Sequence, residues 1–348
     1  MVKKRVTLKD IAAEVGVHVS TVSRALDPAL SDTLTPEVVT KIRDTADSLG
    51  YRPNRIAAGL RTNRTMTVGV MIPDITNVIF PPILRGIESV LEPLGYATII
   101  VNTDSEAERE NRLLNVLRDR GVDGIIHAAV LLSDPCITHA AEDGVPVVTL
   151  NRMVENSRIP YVINDEEAGV RGMLQHLIGL GHRRIAHLAG PQHLSTGQLR
   201  QAAFRKVAEE LALDLDERLI VEASRFDEAE GRRAATDLLA SGARFTAILC
   251  ANDRLALGAI DGLAAQGLAC PADVSVTGFN DMSFLELIRP RLTTVRIQQY
   301  DAGRTAADVL LKLIAAETGT ETGAEAPLET ILPVELVIRD STARCADS

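Results

Sequence analysis

Residues 7–26 constrain this chain more than any other stretch, because they have the pattern of two short helices joined by a tight turn. Thr7 is a suitable N-cap, and Asp10 can return a hydrogen bond to the backbone of that cap. Apolar residues then recur at spacings of three and four, and Gly16 follows where a helix can end in a left-handed conformation. The pattern predicts one helix after Thr7, a short turn, and a second helix that begins near His18.

The predicted second helix is apolar on one side and carries small, polar and cationic side chains on the other. Such side chains suit an exposed helix that reads base edges in a major groove. A helical hairpin that only caps a larger domain is the alternative. The order of an apolar face, a glycine stop, a three-residue turn and a second helix favours a helix-turn-helix instead. The candidate DNA contacts are His18, Val19, Ser20, Thr21, Ser23 and Arg24.

This segment resembles the headpiece of the lactose-repressor (LacI/GalR) family of bacterial transcription regulators. A third helix is predicted after Thr35, with Pro36 at its first position and Glu37 in its first turn, and it ends at Gly50. Residues 1–50 would therefore form a small all-α headpiece. The resemblance implies that this headpiece binds a palindromic operator in double-stranded DNA.

The linker after the headpiece, residues 51–64, has room for little more than two helical turns, and so short a helix is unstable alone in water. In the family that the headpiece resembles, this segment is a hinge helix that forms when two chains meet on DNA. The resemblance implies that Leu60 wedges into the minor groove and that Asn54 and Ala57 also contact DNA. A flexible linker whose Leu60 packs on a neighbour is the alternative.

The charge of the chain is divided unequally between its two ends. Residues 1–64 carry 11 lysines and arginines against 7 acidic residues, a net charge of +4. The remaining residues carry 26 basic and 40 acidic residues, so the chain as a whole has a net charge of −10. A basic headpiece on an acidic body suits phosphate binding by the headpiece alone, because the body is repelled from DNA.

From residue 65 onward, short apolar runs rich in Val and Ile alternate with helical segments. This alternation predicts an α/β fold with parallel sheets covered by helices on both faces. The periodicity does not show how the chain passes between the two halves. The resemblance implies a periplasmic-binding-protein-like body, residues 65–348, that binds an effector and dimerises. Its two Rossmann-like lobes would comprise residues 65–163 with 293–326, and residues 164–292 with 327–348.

Motifs for catalysis and metal binding are missing from the sequence. It contains no G-x-x-x-x-G-K-[ST], G-x-G-x-x-G, G-x-S-x-G or H-E-x-x-H, and its four cysteines form no C-x-x-C pair. We therefore expect no catalytic residues, no metal and no cofactor, and an enzyme is disfavoured. The sequence also lacks a long apolar run and the apolar core of a signal peptide. A cytoplasmic protein without a membrane partner is expected, rather than a stand-alone solute-binding protein.

Open α/β sheets bind small molecules at the carboxyl ends of their strands, and several predicted strands end in amide side chains. Amides suit hydroxyl-rich or heterocyclic ligands, although a helix cap or a strand-end turn explains each one equally well. These candidates are Asn151, Asn164, Asn252 and Asn280. The family resemblance adds the polar residues Thr196 and Arg200 and the apolar residues Ile79, Phe80 and Phe226.

The combined prediction is a repressor, either a homodimer or a tetramer, whose operator affinity depends on a small effector bound between the lobes. It would be cytoplasmic in a bacterium and associated with the nucleoid when bound to its operator. The effector is expected to be a sugar or sugar derivative, with a nucleoside, nucleobase or other small metabolite as the alternative. Asn151 and Asn280 stand where the family often has an acid, so no known ligand specificity can be transferred.

Overall fold

The structure, a computed structural model, describes residues 6–26, 30–51, 64–213, 215–317 and 326–345. The chain forms two compact units, Met1–Thr65 and Met66–Ser348. The predicted hinge contacts lie outside the described residues, so their role stays a prediction. These contacts are Asn54, Ala57 and Leu60.

The described part of the first unit contains three helices around one small core. They are α1 (Leu8–Val15), α2 (Val19–Leu26) and α3 (Pro36–Ser48). Each helix contributes one fully buried β-branched side chain, and these three side chains belong to the same core. They are Ile11, Val22 and Ile42.

The helix ends of this unit follow the sequence signals. The backbone N–H of Thr7 donates to Asp10 Oδ2 at 2.8 Å, and Gly16 ends α1 with a φ of 78°. Thr35 precedes α3, and Pro36 is its first residue. The predicted helix-turn-helix headpiece is confirmed.

The first lobe of the second unit has a parallel six-stranded sheet. Its strands are β1 (Thr67–Ile72), β2 (Ala97–Asn102), β3 (Gly124–His127), β4 (Val147–Leu150), β5 (Tyr161–Asn164) and β11 (Glu329–Leu332), in the order β11-β5-β4-β3-β1-β2. Its helices are α4 (Phe80–Leu91), α5 (Ala107–Asp119), α6 (Pro135–Glu142) and α11 (Gln299–Glu317). One core, with α4 and α11, covers one face of the sheet, and a second core, with α5 and α6, covers the other.

The second lobe has a parallel four-stranded sheet. Its strands are β6 (Ile185–Ala189), β7 (Ile220–Glu222), β8 (Ala247–Cys250) and β9 (Ser275–Thr277), in the order β7-β6-β8-β9. Its helices are α7 (Glu166–Gly179), α8 (Ser195–Glu210), α9 (Glu228–Ala240) and α10 (Asp253–Ala265). Helices α9 and α10 pack on one face of this sheet and α7 and α8 on the other. The predicted α/β body with helices on both faces of parallel sheets is confirmed.

The chain crosses between the lobes three times. Two of these crossings lie later in the sequence than predicted. The first crossing lies between β5 and α7. The strands β10 (Thr294–Arg296) and β12 (Glu335–Val337) form an antiparallel pair. β10 lies beside the second sheet, because isolated bridges join Thr277 to Thr293 and Asn280 to Arg296. The chain therefore returns to the first lobe at α11 rather than near residue 292.

The third crossing corrects the predicted boundary near residue 326. Strand β11 pairs in parallel with β5 of the first lobe. Residues 329–332 therefore belong to the first lobe, although the sequence placed them in the second. The sequence prediction missed this strand because it is short and only partly buried, as is typical of an edge strand. The crossing lies between Leu332 and Glu335.

In both lobes one pair of helices crosses so closely that the contact requires glycine. A β-carbon at Gly86 of α4 would lie 2.1 Å from the carbonyl oxygen of Tyr300, and one at Gly303 of α11 would lie 2.0 Å from that of Ile83. The α9–α10 pair of the second lobe meets at two glycines in the same way. These crossings fix the helices that cover one face of each sheet.

The C-terminal segment, residues 339–345, packs along the second sheet without forming a strand of its own. The backbone N–H of Val276 donates to the carbonyl oxygen of Ser341 at 2.9 Å. The Ser341 hydroxyl donates to the Val276 carbonyl oxygen at 2.6 Å and accepts from the Thr293 N–H at 2.8 Å. Because the Ser341 side chain is buried and fully hydrogen-bonded, this segment is part of the second lobe.

Across the described parts of both units, every helix is too short or too polar to span a lipid bilayer.

Candidate functional site

The exposed side of α2 brings the predicted DNA contacts of the headpiece together. His18, Ser20 and Arg24 are exposed, whereas Thr21 and Ser23 are half-buried. Val19 is also half-buried and packs against the headpiece core. Its side chain therefore offers only part of its surface to a partner. The buried side of the same helix is formed by Val22 and Ala25.

His18 has a structural role that the sequence pattern did not reveal. Its Nδ1 accepts a hydrogen bond from the Ser20 backbone N–H at 3.2 Å and lies 2.8 Å from the Ser20 hydroxyl. The imidazole thus caps one of the free N–H groups at the start of α2, as a Ser or Asp side chain does elsewhere. Arg24 makes only a 3.5 Å contact to the Ser20 carbonyl oxygen. Its guanidinium therefore remains available to a groove.

In the body, Arg200 lies on α8 with only 2% of its surface exposed. Its Nε donates to Glu166 Oε2 at 2.6 Å and its Nη2 donates to Glu166 Oε1 at 3.1 Å. Its Nη1 donates to the carbonyl oxygen of Ala251 at 2.6 Å, and its guanidinium lies 3.8 Å from the centre of the Phe279 ring. Because Ala251 directly follows β8, Arg200 is held at the carboxyl end of the second sheet.

Glu166 and Phe279 are site residues that the sequence analysis missed. Glu166 is the first residue of α7 and is 5% exposed. Its neighbour Glu167 is an equally good candidate by sequence, but it pairs with Lys206 and Arg171 on the surface. Only the tertiary packing of α7 against α8 decides which glutamate faces Arg200.

Two of the predicted amides have backbone roles. Asn252 caps α10, because its Oδ1 accepts the Leu255 N–H at 2.8 Å. Asn280, which follows β9, has a left-handed φ of 119°, and its carbonyl oxygen accepts a hydrogen bond from Gln299 Nε2 at 3.1 Å. Both side chains are about 95% buried at the carboxyl end of the sheet. The structure therefore brings Asn252 and Asn280 into one layer with Arg200. It also shows that Asn252 has the helix-cap role that the sequence allowed as an alternative.

The remaining predicted residues of the second lobe lie beside this layer. Thr196 is buried in the first turn of α8. The ring of Phe226 lies against Gly190, where a β-carbon would come within 2.3 Å of it. Gly190 follows β6 directly, so both residues lie at the same end of the sheet as Arg200.

Asp253, next to Asn252, is a fully buried carboxyl group that joins three segments of the second lobe. It accepts hydrogen bonds from the Thr294 hydroxyl at 2.5 Å and from the Met282 N–H at 2.8 Å. Burial raises its pKa to about 6. The carboxyl group thus ties α10 to β10 and to the loop after β9.

In the first lobe the predicted apolar contacts belong to the core. Ile79 and Phe80 are 5% and 1% exposed and pack in the core shared by α4 and α11. Asn151, half-buried, follows β4 with a φ of 63°. Asn164 ends β5 at the first crossing and is 4% exposed. Within the described residues its Oδ1 has no hydrogen-bond partner.

The two lobes contact each other through a small set of polar interactions. The Leu132 N–H donates to the His193 carbonyl oxygen at 2.9 Å, and the Met153 N–H donates to the Ser195 hydroxyl at 3.0 Å. Arg254 of α10 lies 3.5 Å from the Asp74 carboxylate, which follows β1. These contacts join the two lobes at the carboxyl ends of their sheets.

A buried cluster in the first lobe has the spacing of a metal site, because one ligand atom each of Glu110, His127 and Asp134 lies within 4.8 Å of the others. Its hydrogen bonds argue against that use. The Ala129 N–H donates to His127 Nδ1 at 3.1 Å, so the neutral ring carries its proton on Nε2. His127 Nε2 lies 3.1 Å from Glu110 Oε1, but the angle between them does not allow a hydrogen bond. The proton occupies the place that a cation would need.

The two carboxyl groups of this cluster lie close together in a buried site, which disfavours a negative charge on both of them. Burial raises the pKa of both Glu110 and Asp134. Burial also lowers the pKa of His127, which keeps the ring neutral. Asp134 accepts the Ile137 N–H at 3.2 Å. The cluster is therefore a network that anchors the start of α6.

A separate cavity of about 620 Å³ lies at the opposite, amino end of β4 and β5. It is lined by the end of α6, by α11 and by the loops that lead into these two strands. None of the predicted ligand residues lines it. The amide and arginine side chains described above are therefore grouped at the other end of the sheets.

Family profiles match both units of the chain. The profile described as bacterial regulatory proteins, lacI family, matches residues 7–54, and the profile of a periplasmic binding protein-like domain matches residues 174–342. The regulator RegA of Clostridium saccharobutylicum is 32% identical over 337 residues, which cover 97% of this chain and 99% of RegA. Catabolite control protein A of Priestia megaterium is 33% identical over 314 residues, which cover 90% and 94% of the two chains.

Solved structures also match most of the chain. The lac repressor dimer bound to operator and an anti-inducer has a TM-score of 0.82 and 29% identity, covering 98% of this chain and 100% of its own. The CelR–cellobiose complex has a TM-score of 0.73 and 29% identity, covering 97% and 100%. A regulator from Enterococcus faecium with bound ribose has a TM-score of 0.67 and 30% identity, covering 80% and 99%. Given its helix-turn-helix headpiece, its two α/β lobes and these full-length matches, the chain belongs to the lacI family of bacterial transcription regulators.

Proposed function

We propose that this protein is a repressor that binds a palindromic operator as a homodimer, and that a sugar or sugar derivative bound between its lobes controls operator affinity. Like its relatives, the protein is a DNA-binding regulator and not an enzyme. The observation that carries the effector proposal is the buried polar layer at the carboxyl end of the second sheet. Arg200, Asn252 and Asn280 form this layer, opposite the first lobe.

A hydroxyl-rich ligand suits the polar atoms of this cleft. The unpartnered Oδ1 of Asn164 accepts hydrogen bonds only, and a buried acceptor without a donor is costly. A sugar hydroxyl could donate to it while accepting from Arg200. The cellobiose and ribose bound to two regulators of similar structure support a sugar. A nucleoside or nucleobase remains the alternative, because the ring of Phe226 lies beside the layer.

On the DNA side, we assign base reading to the exposed face of α2 and infer that the hinge residues Asn54, Ala57 and Leu60 hold the minor groove. The net charge of +4 on residues 1–64 supports phosphate binding by this end of the chain. The acidic body would then leave DNA contact to the headpieces. A tetramer is the alternative assembly, and a cytoplasmic site associated with the nucleoid is the location that this function requires.

The link between the two sites would be a change in lobe geometry. An effector can shift an equilibrium only if it binds one arrangement more tightly than the other. Polar contacts between the lobes, such as Leu132 with His193 and Asp74 with Arg254, can exchange with ligand contacts. A ligand that bridges the same cleft would therefore change the relative positions of the lobes at small cost, and with them the spacing of the two headpieces.

Selection of a DNA site from a random pool, followed by gel-shift titration, tests the DNA part of this proposal. The selected site should be palindromic, and Arg24→Ala should weaken operator binding by about 1–3 kcal/mol while relaxing the preference at one base position. Arg43→Ala, an exposed arginine on α3, is the matched control for lost charge. Equal weakening of operator and random DNA by Arg24→Ala would show that this residue holds phosphate instead of reading bases.

The effector part is tested with the full chain on the selected operator. Cellobiose, ribose and a set of other mono- and disaccharides are compared with nucleosides and nucleobases as agents that change operator affinity. We expect at least one sugar to shift the gel-shift midpoint and to raise the melting temperature. Response to a nucleoside but to no sugar would favour the alternative effector class.

A further inference from the structure

The charge of Arg200 is already balanced inside the protein. Two of its nitrogens face the two oxygens of the Glu166 carboxylate, at 2.6 and 3.1 Å, and both side chains are at most 4% exposed. A two-bond arginine–carboxylate pair of this kind is among the strongest ion pairs in proteins. In the low-dielectric interior it holds a net charge close to zero at this point of the cleft.

Arg200 nevertheless keeps hydrogen-bonding capacity for a ligand. A guanidinium has five N–H donors, and Glu166 and the Ala251 carbonyl oxygen use three of them. One N–H on each terminal nitrogen is left. These two N–H groups can donate to a neutral oxygen acceptor. An anion that approached them would also approach the Glu166 carboxylate. Its attraction to Arg200 and its repulsion from Glu166 would then largely cancel.

Other charges at this edge of the lobe add no free positive charge. Arg254 pairs with Glu228 at 2.8 Å and also lies near Asp74, and Arg225 pairs with Asp227 at 2.8 Å. The buried carboxyl group of Asp253 lies in the same layer, and any negative charge on it would repel an anion. Along this part of the second lobe, the described arginines thus have carboxylate partners.

We propose that Glu166 is a specificity-determining residue that restricts the effector to uncharged, hydroxyl-rich compounds and excludes sugar phosphates and sugar acids. This inference rests on the proposed function, because it concerns which ligands the same cleft accepts. A neutral sugar would receive the two remaining Arg200 donors and donate to the Asn164 amide oxygen. A phosphate or carboxylate would have to lose its hydration beside an arginine whose charge Glu166 already balances, which is unfavourable.

The test uses the full chain, its Glu166→Gln variant and inorganic phosphate as the probe. Glutamine has the size of glutamate and can still accept one hydrogen bond from Arg200, so the variant removes the charge while it keeps the packing. Glu167→Gln, which removes the neighbouring surface charge of α7, is the matched control. Phosphate affinity is measured by calorimetry and by thermal shift at constant ionic strength.

We expect phosphate to bind Glu166→Gln at least about tenfold more tightly than it binds the unchanged protein or Glu167→Gln, because Arg200 then has a free charge-assisted donor pair. Adding Arg200→Gln to the first variant should abolish the gain. Equal phosphate affinity in all three proteins would overturn the proposal, as would tighter binding to the unchanged protein than to Glu166→Gln.

If Glu166→Gln does not fold, the unchanged protein still decides the matter. Ribose 5-phosphate, gluconate and inorganic phosphate should each raise its melting temperature no more than sodium chloride of equal ionic strength. A specific rise with any of them would overturn the exclusion of anions. The proposed function fails separately, when no operator is selected or when no small molecule changes operator affinity, and neither result depends on the phosphate measurement.

Discussion

Arg200 stabilises the second lobe, because it is one half of a buried ion pair with Glu166. Removing one partner of such a pair leaves the other charge buried and unpaired. We expect Arg200→Ala to lower the free energy of unfolding of the body by about 3–5 kcal/mol. Loss of effector response in this variant would therefore be ambiguous unless folding is measured with it.

The same helix offers a control for this prediction. Arg205 of α8 pairs with Glu217 at 2.8 Å, but the two side chains are 42% and 70% exposed. Arg205→Ala should cost no more than about 1 kcal/mol, because water screens an exposed pair. Urea unfolding of the full chain, followed by far-UV circular dichroism, measures both variants. If Arg200→Ala and Arg205→Ala lowered the free energy of unfolding equally, the buried ion pair would contribute no more to stability than the exposed one.

His187 is a buried base whose charge the second lobe cannot accommodate. Its ring stacks on Phe204 with centres 4.5 Å apart, and its Nδ1 donates to the Leu249 carbonyl oxygen at 2.8 Å. Burial lowers its pKa to about 4. Because the unfolded chain binds this proton more readily than the folded one, the stability contributed by His187 is complete above pH 6.5 and is lost as the pH falls toward 4.

A substitution isolates this effect from the other titrating groups, such as Asp253, whose raised pKa acts in the opposite direction over part of this range. The free energy of unfolding of the unchanged protein should fall by about 2 kcal/mol more than that of His187→Phe between pH 7 and pH 5. Denaturant titrations at the two pH values give the comparison. Parallel pH profiles for the two proteins would mean that His187 is not responsible.

At the scale of elements, the contact between α4 and α11 depends on two glycines. A side chain at Gly86 would collide with the backbone of α11, which cannot give way as a flexible side chain can. We expect Gly86→Ala to destabilise the first lobe by about 3 kcal/mol or more, through overpacking. Gly172→Ala on α7 is the control, because nothing lies within 4 Å of its β-carbon position.

The control should change stability in the other direction. Alanine lowers the cost of ordering a helix by about 0.5–1 kcal/mol relative to glycine, so Gly172→Ala should stabilise the protein slightly. Thermal unfolding with denaturant titration distinguishes the two substitutions. A stabilising effect of Gly86→Ala would show that the helices can separate at this crossing.

The elements that the sequence predicted well are those with strong local signals. Thr7, Gly16 and Pro36 fix helix ends through their own hydrogen bonds and dihedral angles, so their roles follow from local chemistry. Strands β7 and β11 are not apparent in the sequence pattern, because they have only three and four residues and are partly exposed. Edge strands of this kind carry little periodicity, and only their pairing partners identify them.

The candidate site was predictable only in outline, for a related physical reason. The carboxyl ends of parallel strands meet at one edge, which allowed Asn252 and Asn280 to be grouped from their positions after strands. Arg200, inside a helix, was predicted only from the family resemblance. The pairing of Arg200 with Glu166 joins residues that are 34 positions apart and depends on how two helices pack. Sequence spacing contains no information about such a contact, so the charge balance of the cleft became visible only in the folded chain.

At the scale of the whole molecule, the ion pair between Asp74 and Arg254 joins the two lobes. Asp74→Asn should weaken this link and favour a more open body. If the effector binds between closed lobes, the concentration needed to change operator affinity by half should rise about two- to fivefold, in keeping with a pair worth less than about 1 kcal/mol.

Asp143→Asn provides the comparison, because Asp143 pairs with Arg118 at 2.8 Å within the first lobe alone. Its effector response should equal that of the unchanged protein. Gel-shift titrations with the active sugar supply both values. If the two variants responded alike, the Asp74–Arg254 contact would have no part in lobe closure.

The late return of β11 to the first lobe also has a consequence for biosynthesis. Residue 329 pairs with residue 161, and a ribosome that adds about 5–20 residues per second needs roughly ten to thirty seconds to make the stretch between them. During that time the edge of β5 is open, and open strand edges invite pairing with other chains. The headpiece helices are complete by residue 48. Translation therefore finishes the DNA-binding end long before the effector-binding end, and a chain that stops short of Leu332 never closes its first sheet.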